Sequence, residues 1–177
     1  RGTSCRILHT RKTAPGLRCF DIAAVLAGGG SPHRADLAGT VMVKDNHWMG
    51  LRASVPGGSG TEALAAALFT ALQTARARGV EGLQVEVESV EQLELACRAG
   101  ATRLLIDNQS PATVAGWAAR ARSLQPGIEI EATGGITLAN VREYADAGAD
   151  YISIGALTHS VVAGDVALEI EMLPAGT

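Results

Sequence analysis

Close to its first residue the chain reads Ile7-Leu8-His9-Thr10-Arg11-Lys12-Thr13-Ala14-Pro15-Gly16-Leu17-Arg18. The apolar start predicts a short strand, the three cations of residues 10–18 predict a charged turn, and Pro15 lies where the first turn of a helix tolerates proline. A strand, a charged turn and a helix form the repeating unit of parallel α/β proteins, whose chemistry usually lies at the carboxyl ends of the strands. We therefore expect this stretch to begin both the fold and the functional site.

The same unit recurs along the chain. Strands are predicted over residues 7–10, 41–43, 83–87, 104–106, 128–132 and 151–154, and the alternation of residues 165–172 indicates a seventh. Helix starts are predicted at the capping boxes Ser59-x-x-Glu62 and Ser89-x-x-Gln92 and at the Ser110-Pro111 pair. Strands that alternate with helices in this way favour a parallel sheet or barrel.

The strand ends favour the barrel. Each ends in a polar or glycine-rich group, whereas an open sheet would gather such groups at one switch point. The sequence therefore predicts an incomplete, TIM-barrel-like (β/α) barrel of about seven strands, one fewer than a complete barrel. The strand-end residues are Arg11, Lys44, Glu86, Asp107, Gly134 and Gly155.

Composition narrows the class of protein. With 177 residues, 47% hydrophobic and only 3% aromatic, the chain predicts one α/β domain over residues 1–177 with an aliphatic core, its end, 165–177, being a strand or tail. The net charge of −3 offers no general field for nucleic acid or a membrane surface, and no apolar run reaches membrane-spanning length. Three widely spaced cysteines predict neither a disulfide framework nor a zinc site, so we expect a reduced, cytoplasmic setting.

Cations are expected to converge at the strand ends. Four Lys and Arg side chains would meet there, together with one histidine: Arg11, Lys12, His33, Arg34 and Lys44. Two unit charges about 4 Å apart repel by roughly 4 kcal/mol at an effective dielectric near 20, so such a cluster is costly without anions. The sequence therefore predicts a small ligand that carries several negative charges.

Two carboxylates are expected beside these cations. Glu86 and Asp107 are oxygen ligands of the kind that Mg²⁺ takes together with substrate phosphates. They could instead pair with Lys12 and Lys44. Both interpretations are compatible with a phosphate site, and the residue types alone leave both open.

Glycines and histidines complete the candidate site. The Gly134-Gly135 and Gly155-Ala156 pairs precede helical segments, so their backbone N–H groups could hold a phosphate. Among the histidines, His33 and His159 stand beside other candidate groups and are predicted to bind ligand. The other two, His9 and His47, are predicted to be structural.

Taken in order, the motifs resemble those of the quinolinate phosphoribosyltransferases, also called nicotinate-nucleotide pyrophosphorylases. The resemblance covers nearly the whole chain. The motifs that carry it are residues 10–18, Gly28-Gly29-Gly30 with His33-Arg34, Lys44-Asp45-Asn46-His47, Glu86-Val87-Glu88, Asp107-Asn108, Thr133-Gly134-Gly135-Ile136 and Gly155-Ala156-Leu157-Thr158-His159-Ser160.

The resemblance implies an enzyme of the glycosyltransferase class that acts in NAD biosynthesis. It would transfer phosphoribose from phosphoribosyl pyrophosphate to quinolinate with Mg²⁺ and release the 2-carboxylate as CO₂, giving nicotinate mononucleotide and pyrophosphate. The implied catalytic residues are Lys12, Lys44, Glu86 and Asp107. The implied roles are Arg11, His33, Arg34 and Lys44 for the dicarboxylate, Lys12 and His159 for the phosphoribosyl donor, Glu86 and Asp107 for the metal or the ribose hydroxyls, and Thr133, Gly134 and Gly155 for the 5′-phosphate.

The chain also departs from the family pattern. Pro32 replaces the usual Asn before the His-Arg pair, and Gly39 stands where an Asp is usual. Family members carry an N-terminal domain that packs on the barrel, and in the homodimer or larger assembly it gives an arginine to the partner's site. Residues 1–177 would then be the barrel without that domain. The alternatives are a catalytically incomplete anion-binding fragment and a related pyrophosphorylase for another anionic substrate, although the complete Lys44-Asp45-Asn46-His47 motif favours quinolinate over the latter.

Overall fold

A computed structural model describes residues 2–34, 39–55 and 60–171. Within these ranges there are six parallel strands joined by six helices, with two successive helices between the second and third strands. A 3₁₀ turn, Gly155–Leu157, follows the last strand. The strands are β1 (Arg6–Leu8), β2 (Thr40–Val43), β3 (Gly82–Val87), β4 (Arg103–Asp107), β5 (Glu129–Thr133) and β6 (Tyr151–Ser153). The helices are α1 (Arg18–Ala27), α2 (Asp45–Ser54), α3 (Thr61–Ala77), α4 (Val90–Ala99), α5 (Pro111–Leu124) and α6 (Val141–Asp146).

The order of strands in the sheet confirms the predicted barrel type. Strands β2 to β6 lie side by side in chain order, and β1 pairs with β6 with Leu8 opposite Ser153. The order is therefore cyclic, without the switch point of an open doubly wound sheet. On the other side of β1, a single parallel bridge joins Leu8 to Ser31. The sheet is a partial barrel whose seam lies between β1 and β2.

The predicted seventh strand is wrong for the part of it that the structure describes. Residues 161–171 form no regular element, and Val166, Leu168 and Ile170 are exposed. Their alternation is real, but a strand needs a neighbour for its backbone hydrogen bonds, and no described strand lies beside them. Residues 172–177, the end of the predicted tail, lie outside the described ranges.

The predicted helix starts can be compared with the caps. The Ser89 hydroxyl accepts from the N–H of Gln92 at 3.2 Å, and the Ser110 hydroxyl accepts from the N–H of Thr113 at 3.1 Å, so both predictions are confirmed. Ser59 lies outside the described residues, and α3 begins at Thr61.

The two faces of the sheet carry different residues. Facing the helices are fully buried aliphatic side chains, each of which stabilises the fold by about 1.5–3 kcal/mol: Val85, Val87, Leu104, Ile106, Ile130 and Ile152. Because side chains alternate along a strand, the next residues in each strand point into the barrel. Those interior residues become polar toward the carboxyl ends of the strands and include Glu86, Asp107, Glu131 and Ser153.

Candidate active site

A cavity of about 310 Å³ lies at the carboxyl ends of the strands. Its wall contains eight of the residues predicted from the sequence: Arg11, Lys12, His33, Arg34, Lys44, Glu86, Asp107 and Thr133. It also contains six residues that the sequence did not indicate as ligand contacts: His9, Thr10, Met42, Leu105, Glu131 and Ser153. The predicted meeting of cations and carboxylates is therefore present in the structure.

Three predicted residues are not part of the cavity wall. Gly134 follows Thr133 in the loop after β5, and Gly155 begins the 3₁₀ turn after β6. The ring of His159 lies directly against Gly155, where a Cβ would overlap its Nε2 atom, and His159 Nδ1 is 2.6 Å from the hydroxyl of Ser160. These residues belong to the neighbouring loops.

Lys44 and Glu86 form an ion pair in the wall. Lys44 Nζ lies 2.6 Å from Glu86 Oε2, with the lysine side chain 44% exposed and the glutamate 10% exposed. Of the two alternatives for Glu86, the structure contains the pairing with Lys44. His47 is structural, as predicted, because its Nδ1 accepts the Lys44 N–H at 3.0 Å at the start of α2.

The indole of Trp48 holds the backbone of Glu86, next to this ion pair. It is almost fully buried, and its Nε1–H donates to the Glu86 carbonyl at 2.8 Å. Trp48 of α2 thus holds the carboxyl end of β3, and this fixes the backbone that carries the Glu86 side chain.

Asp107 occupies the end of β4. Its Oδ2 accepts from the Asn108 side-chain amide at 2.7 Å, and the Asn108 N–H donates to the Thr133 carbonyl at 2.9 Å. Asn108 has a φ of 53°, in the left-handed region where Asn is one of the few non-glycine residues found often. Gly134 packs against it so closely that a Cβ at position 134 would overlap the Asn108 side chain. The Asp107 carboxylate is therefore positioned by Asn108, which is itself fixed by the end of β5.

Glu86 and Asp107 fit a magnesium ion in their donor chemistry. Among the described residues no group of three or more His, Cys, Asp or Glu surrounds a common metal position. Magnesium bound to a substrate needs only one or two protein carboxylates, because phosphate oxygens and water supply the rest. Asp107 offers a partly exposed carboxylate for this purpose, whereas Glu86 would share its carboxylate with Lys44.

Glu131 is the most deeply buried acid of the site, at 1% exposure. It accepts from the Ser153 hydroxyl at 2.6 Å, from Arg103 Nη1 at 3.2 Å and from His33 Nε2 at 3.3 Å. Burial acts to raise the pKa of Glu131, but the hydrogen bond and charge of His33, with Ser153 and Arg103, outweigh burial and lower it. Glu131 is thus a carboxylate in the folded protein.

His9 supports the segment that carries His33. The backbone N–H of His33 donates to His9 Nε2 at 3.1 Å, and His9 is 1% exposed. Burial lowers the pKa of His9, a hydrogen bond with the Thr10 carbonyl opposes this, and the nearby His33 and Arg11 lower it further. His9 is therefore a neutral acceptor.

Arg34 stands close to another cation. Its guanidinium donates to the Thr40 carbonyl at 3.4 Å. Burial lowers the pKa of Arg34, the charge of Arg11 lowers it further, and Glu131 acts in the opposite direction. Two guanidinium groups in one wall favour an anionic ligand between them.

A second cavity, of about 330 Å³, lies at the opposite mouth of the barrel. Three of its charged side chains are in ion pairs, since Arg122 lies 2.8 Å from Asp150 and Glu129 lies 2.8 Å from Arg103. Of these two cavities, only the one at the carboxyl ends of the strands therefore has a cluster of cations.

Together, these features define a partial parallel α/β-barrel protein with a cluster of cations at the carboxyl ends of its strands. Residues 1–169 match the family model described as quinolinate phosphoribosyl transferase, C-terminal domain, and the chain belongs to this family. No helix in the described ranges has the length and apolarity needed to cross a membrane.

Curated relatives and a solved structure agree with this family. The chain is 37% identical to the nicotinate-nucleotide pyrophosphorylase [carboxylating] of Mycobacterium leprae, over 96% of this chain and 55% of the relative. It is 36% identical to the protein of the same name from Homo sapiens, over 96% and 52%. The crystal structure of the nicotinate-nucleotide pyrophosphorylase from Ehrlichia chaffeensis aligns with a TM-score of 0.72 at 32% identity, over 90% of this chain and 52% of that one. The chain thus spans about half the length of these relatives.

Proposed function

We propose that this chain forms the catalytic domain of a phosphoribosyltransferase that converts quinolinate and phosphoribosyl pyrophosphate to nicotinate mononucleotide, CO₂ and pyrophosphate in NAD biosynthesis. The observation that carries the proposal is the cavity in which Arg11, Lys12, Arg34 and Lys44 meet the carboxylates of Glu86 and Asp107. The family of the chain and the names of its relatives support the same reaction.

The dicarboxylate is assigned to the side of the cavity with the guanidinium groups. Arg11, His33, Arg34 and Lys44 bind its two carboxylates, because a planar guanidinium donates two parallel hydrogen bonds to one carboxylate. When the 2-carboxylate leaves as CO₂, negative charge develops on the ring carbon. Fixed cations beside that carbon stabilise it without having to reorganise.

The phosphoribosyl donor is assigned to Lys12 and to the loops after β5 and β6. Gly134 has a φ of 84° and Gly135 of 62°, backbone conformations that glycine adopts without strain. Phosphate sites of α/β barrels are frequently built from the loops after the late strands. The 5′-phosphate then lies against Thr133, Gly134 and Gly155, with His159 beside Gly155.

Glu86 and Asp107 are assigned to the metal or the ribose hydroxyls. Bound Mg²⁺ would neutralise the pyrophosphate as it leaves. The Lys44–Glu86 pair has to loosen when substrate enters, since Lys44 is also assigned to the dicarboxylate. Each partner then exchanges the other for a ligand group, so the ion pair compensates both charges until substrate binds.

Assembly and location are part of the same proposal. A homodimer or larger assembly, and a reducing cytoplasmic compartment, follow from the family resemblance and the unpaired cysteines, since Cys5, Cys19 and Cys97 are free thiols. Nucleic acid and membrane are not partners in this proposal.

The natural protein, incubated with quinolinate, phosphoribosyl pyrophosphate and Mg²⁺, is expected to release CO₂ and nicotinate mononucleotide in equal amounts. Nicotinate is the matched control because it lacks the 2-carboxylate. Turnover of another anionic acid but not of quinolinate would identify a related pyrophosphorylase. Binding of quinolinate without any product would identify an incomplete, anion-binding protein.

A further inference from the structure

Two glutamates of β5 point into the barrel, share Arg103 as a partner and differ in their other contacts. Glu129 and Glu131 both bind the guanidinium of Arg103, which lies 2.8 Å from Glu129 and 3.2 Å from Glu131. Only Glu131 also reaches His33, at 3.2 Å, and only Glu131 lines the cavity at the carboxyl end. A comparison of Glu129 with Glu131 can therefore distinguish a role in holding Arg103 from a role in holding His33.

The hydrogen bonds around His33 determine which ring nitrogen carries a proton. An ionised carboxylate can only accept, so the His33 Nε2 that faces Glu131 must carry hydrogen. The backbone of the same residue is fixed separately, by His9 Nε2 at 3.1 Å, and His9 in turn must leave that nitrogen unprotonated to accept. Both the position of residue 33 and the orientation of its ring are thus set from inside the barrel.

With Nε2 bound to Glu131, Nδ1 is the ring nitrogen left for a ligand. A ligand carboxylate cannot donate, so it binds Nδ1 only if that nitrogen also carries a proton. The bound ring then has protons on both nitrogens and a positive charge. Glu131, buried beside it and lowered in pKa by its three donors, supplies the balancing negative charge.

We propose that Glu131 is a positioning residue for the dicarboxylate, which acts by holding His33 with a proton on Nε2 and its Nδ1–H available to a substrate carboxylate. This inference rests on the proposed function for its substrate, but not for its geometry. It adds to the site a residue that touches His33 rather than the substrate.

The test compares Glu131→Gln with Glu129→Gln in the natural protein. Each variant removes one of the two anions at Arg103 and leaves the other, so both are expected to fold, which thermal denaturation checks. Glu131→Gln is expected to raise the KM for quinolinate roughly tenfold to a hundredfold, the loss typical of one charge-assisted hydrogen bond, and to leave the KM for phosphoribosyl pyrophosphate within about twofold. Glu129→Gln is expected to leave both KM values within about twofold.

A spectroscopic measurement gives a readout that does not depend on turnover. In protein labelled with ¹⁵N-histidine, the ring signals of His33, assigned with His33→Gln, are expected to show a protonated Nε2 in the unmodified protein and in Glu129→Gln. They are expected to change in Glu131→Gln, where the amide also donates. Ser153→Ala, which removes a different donor to Glu131, is expected to leave the protonated Nε2 in place.

The outcomes separate this proposal from the proposed function. An unchanged His33 signal and an unchanged quinolinate KM in Glu131→Gln would overturn the positioning role. Equal effects of the two glutamine variants would overturn it too, because they would act through Arg103. A protein with no activity on quinolinate would contradict the proposed function, and the His33 signal would then still decide whether Glu131 holds the ring.

Discussion

The Lys44–Glu86 pair is where one side chain is expected to decide activity. Lys44→Ala removes a cation assigned to the dicarboxylate and should lower kcat/KM about 100- to 1000-fold, the usual loss for one preorganised charge in a catalytic site. The lysine is nearly half exposed, so the free energy of unfolding should fall by only about 1 kcal/mol. Steady-state kinetics and circular dichroism measure the two effects.

Arg98→Ala is the control for this change. It breaks another ion pair, with Glu62 at 3.2 Å, on the outer surface of the helices. Its turnover should equal that of the unmodified protein. Turnover of Lys44→Ala at the unmodified rate would contradict the assignment of Lys44.

Adjacent glycines after β5 allow backbone strain to be separated from packing. Gly134 and Gly135 both have positive φ, so alanine at either position costs about 1 kcal/mol. At Gly134 the new Cβ would also overlap Asn108, whereas at Gly135 it would meet no described atom within 4 Å. Gly134→Ala should therefore lower the melting temperature more and weaken phosphoribosyl pyrophosphate binding, measured by titration calorimetry. Equal effects of the two variants would show that Asn108 does not matter.

The lowered pKa of Glu131 predicts how acid acts on stability. A carboxyl group whose pKa is lower in the folded state stabilises the fold above its ordinary value of 4.5 and loses that contribution as pH falls through the folded value. The melting temperature of the unmodified protein should exceed that of Glu131→Gln near neutral pH, and the gap should narrow below about pH 4.5. A gap that stays constant down to about pH 3 would contradict the ionised state.

Single residues also show what the sequence could and could not predict about the site. Lys44, Glu86 and Asp107 were predicted because each stands where an apolar run ends, and strand ends converge in a barrel. Glu131 was missed because it lies inside such a run, although it alternates with Thr133 and so shares its interior face. His9 was predicted to be structural, but its place in the cavity wall depends on residues 31–34 folding back, which no local pattern indicates.

Among the helices, α2 links core packing to the site. Trp48→Phe keeps most of the buried aromatic surface but removes the hydrogen bond to the Glu86 carbonyl. Loss of this buried hydrogen bond should lower the free energy of unfolding by about 1–3 kcal/mol, and the less tightly held end of β3 should lower kcat/KM severalfold. Urea denaturation and kinetics measure these effects.

Trp117→Phe is the matched control, since Trp117 of α5 packs partly buried against the same core, away from the described cavity wall. It should change stability slightly and leave kcat/KM unchanged. If both variants lose activity equally, α2 has no special connection to Glu86.

The positions of the strands were easier to predict than the number of strands. The six central runs are bounded by caps and glycines, and their apolar residues pack on helices that the same sequence predicts. The alternation of residues 165–171 resembles a strand equally well, but a strand forms only against a partner, and the pattern contains no information about partners. Local patterns therefore predicted the repeating unit of the barrel, but they predicted one strand more than the described residues contain.

For the molecule as a whole, we expect residues 1–177 alone to bind anions but to turn over poorly. The cavity wall holds the cations of Arg11, Lys12, Arg34 and Lys44, but the relatives of the family are about twice as long. Large apolar side chains such as Phe20 and Leu138 are also exposed, at 69% and 94%. Turnover by residues 1–177 should be about 100- to 1000-fold below that of a full-length relative, and light scattering should show self-association. Equal turnover and a monomeric state would show that the barrel is sufficient.

The pairing of β1 with β6 has a consequence for how the chain refolds. Strands β2 to β6 each join a neighbour in sequence, whereas β1 must wait for Tyr151–Ser153, near the far end of the described chain. Contacts between such distant segments carry the largest loop-closure entropy, so we expect β1 to dock last. Arg11 and Lys12 reach the cavity only with that docking. An anion bound in the cavity therefore stabilises the pairing of β1 with β6. When the anion dissociates, β1 separates from β6 more easily.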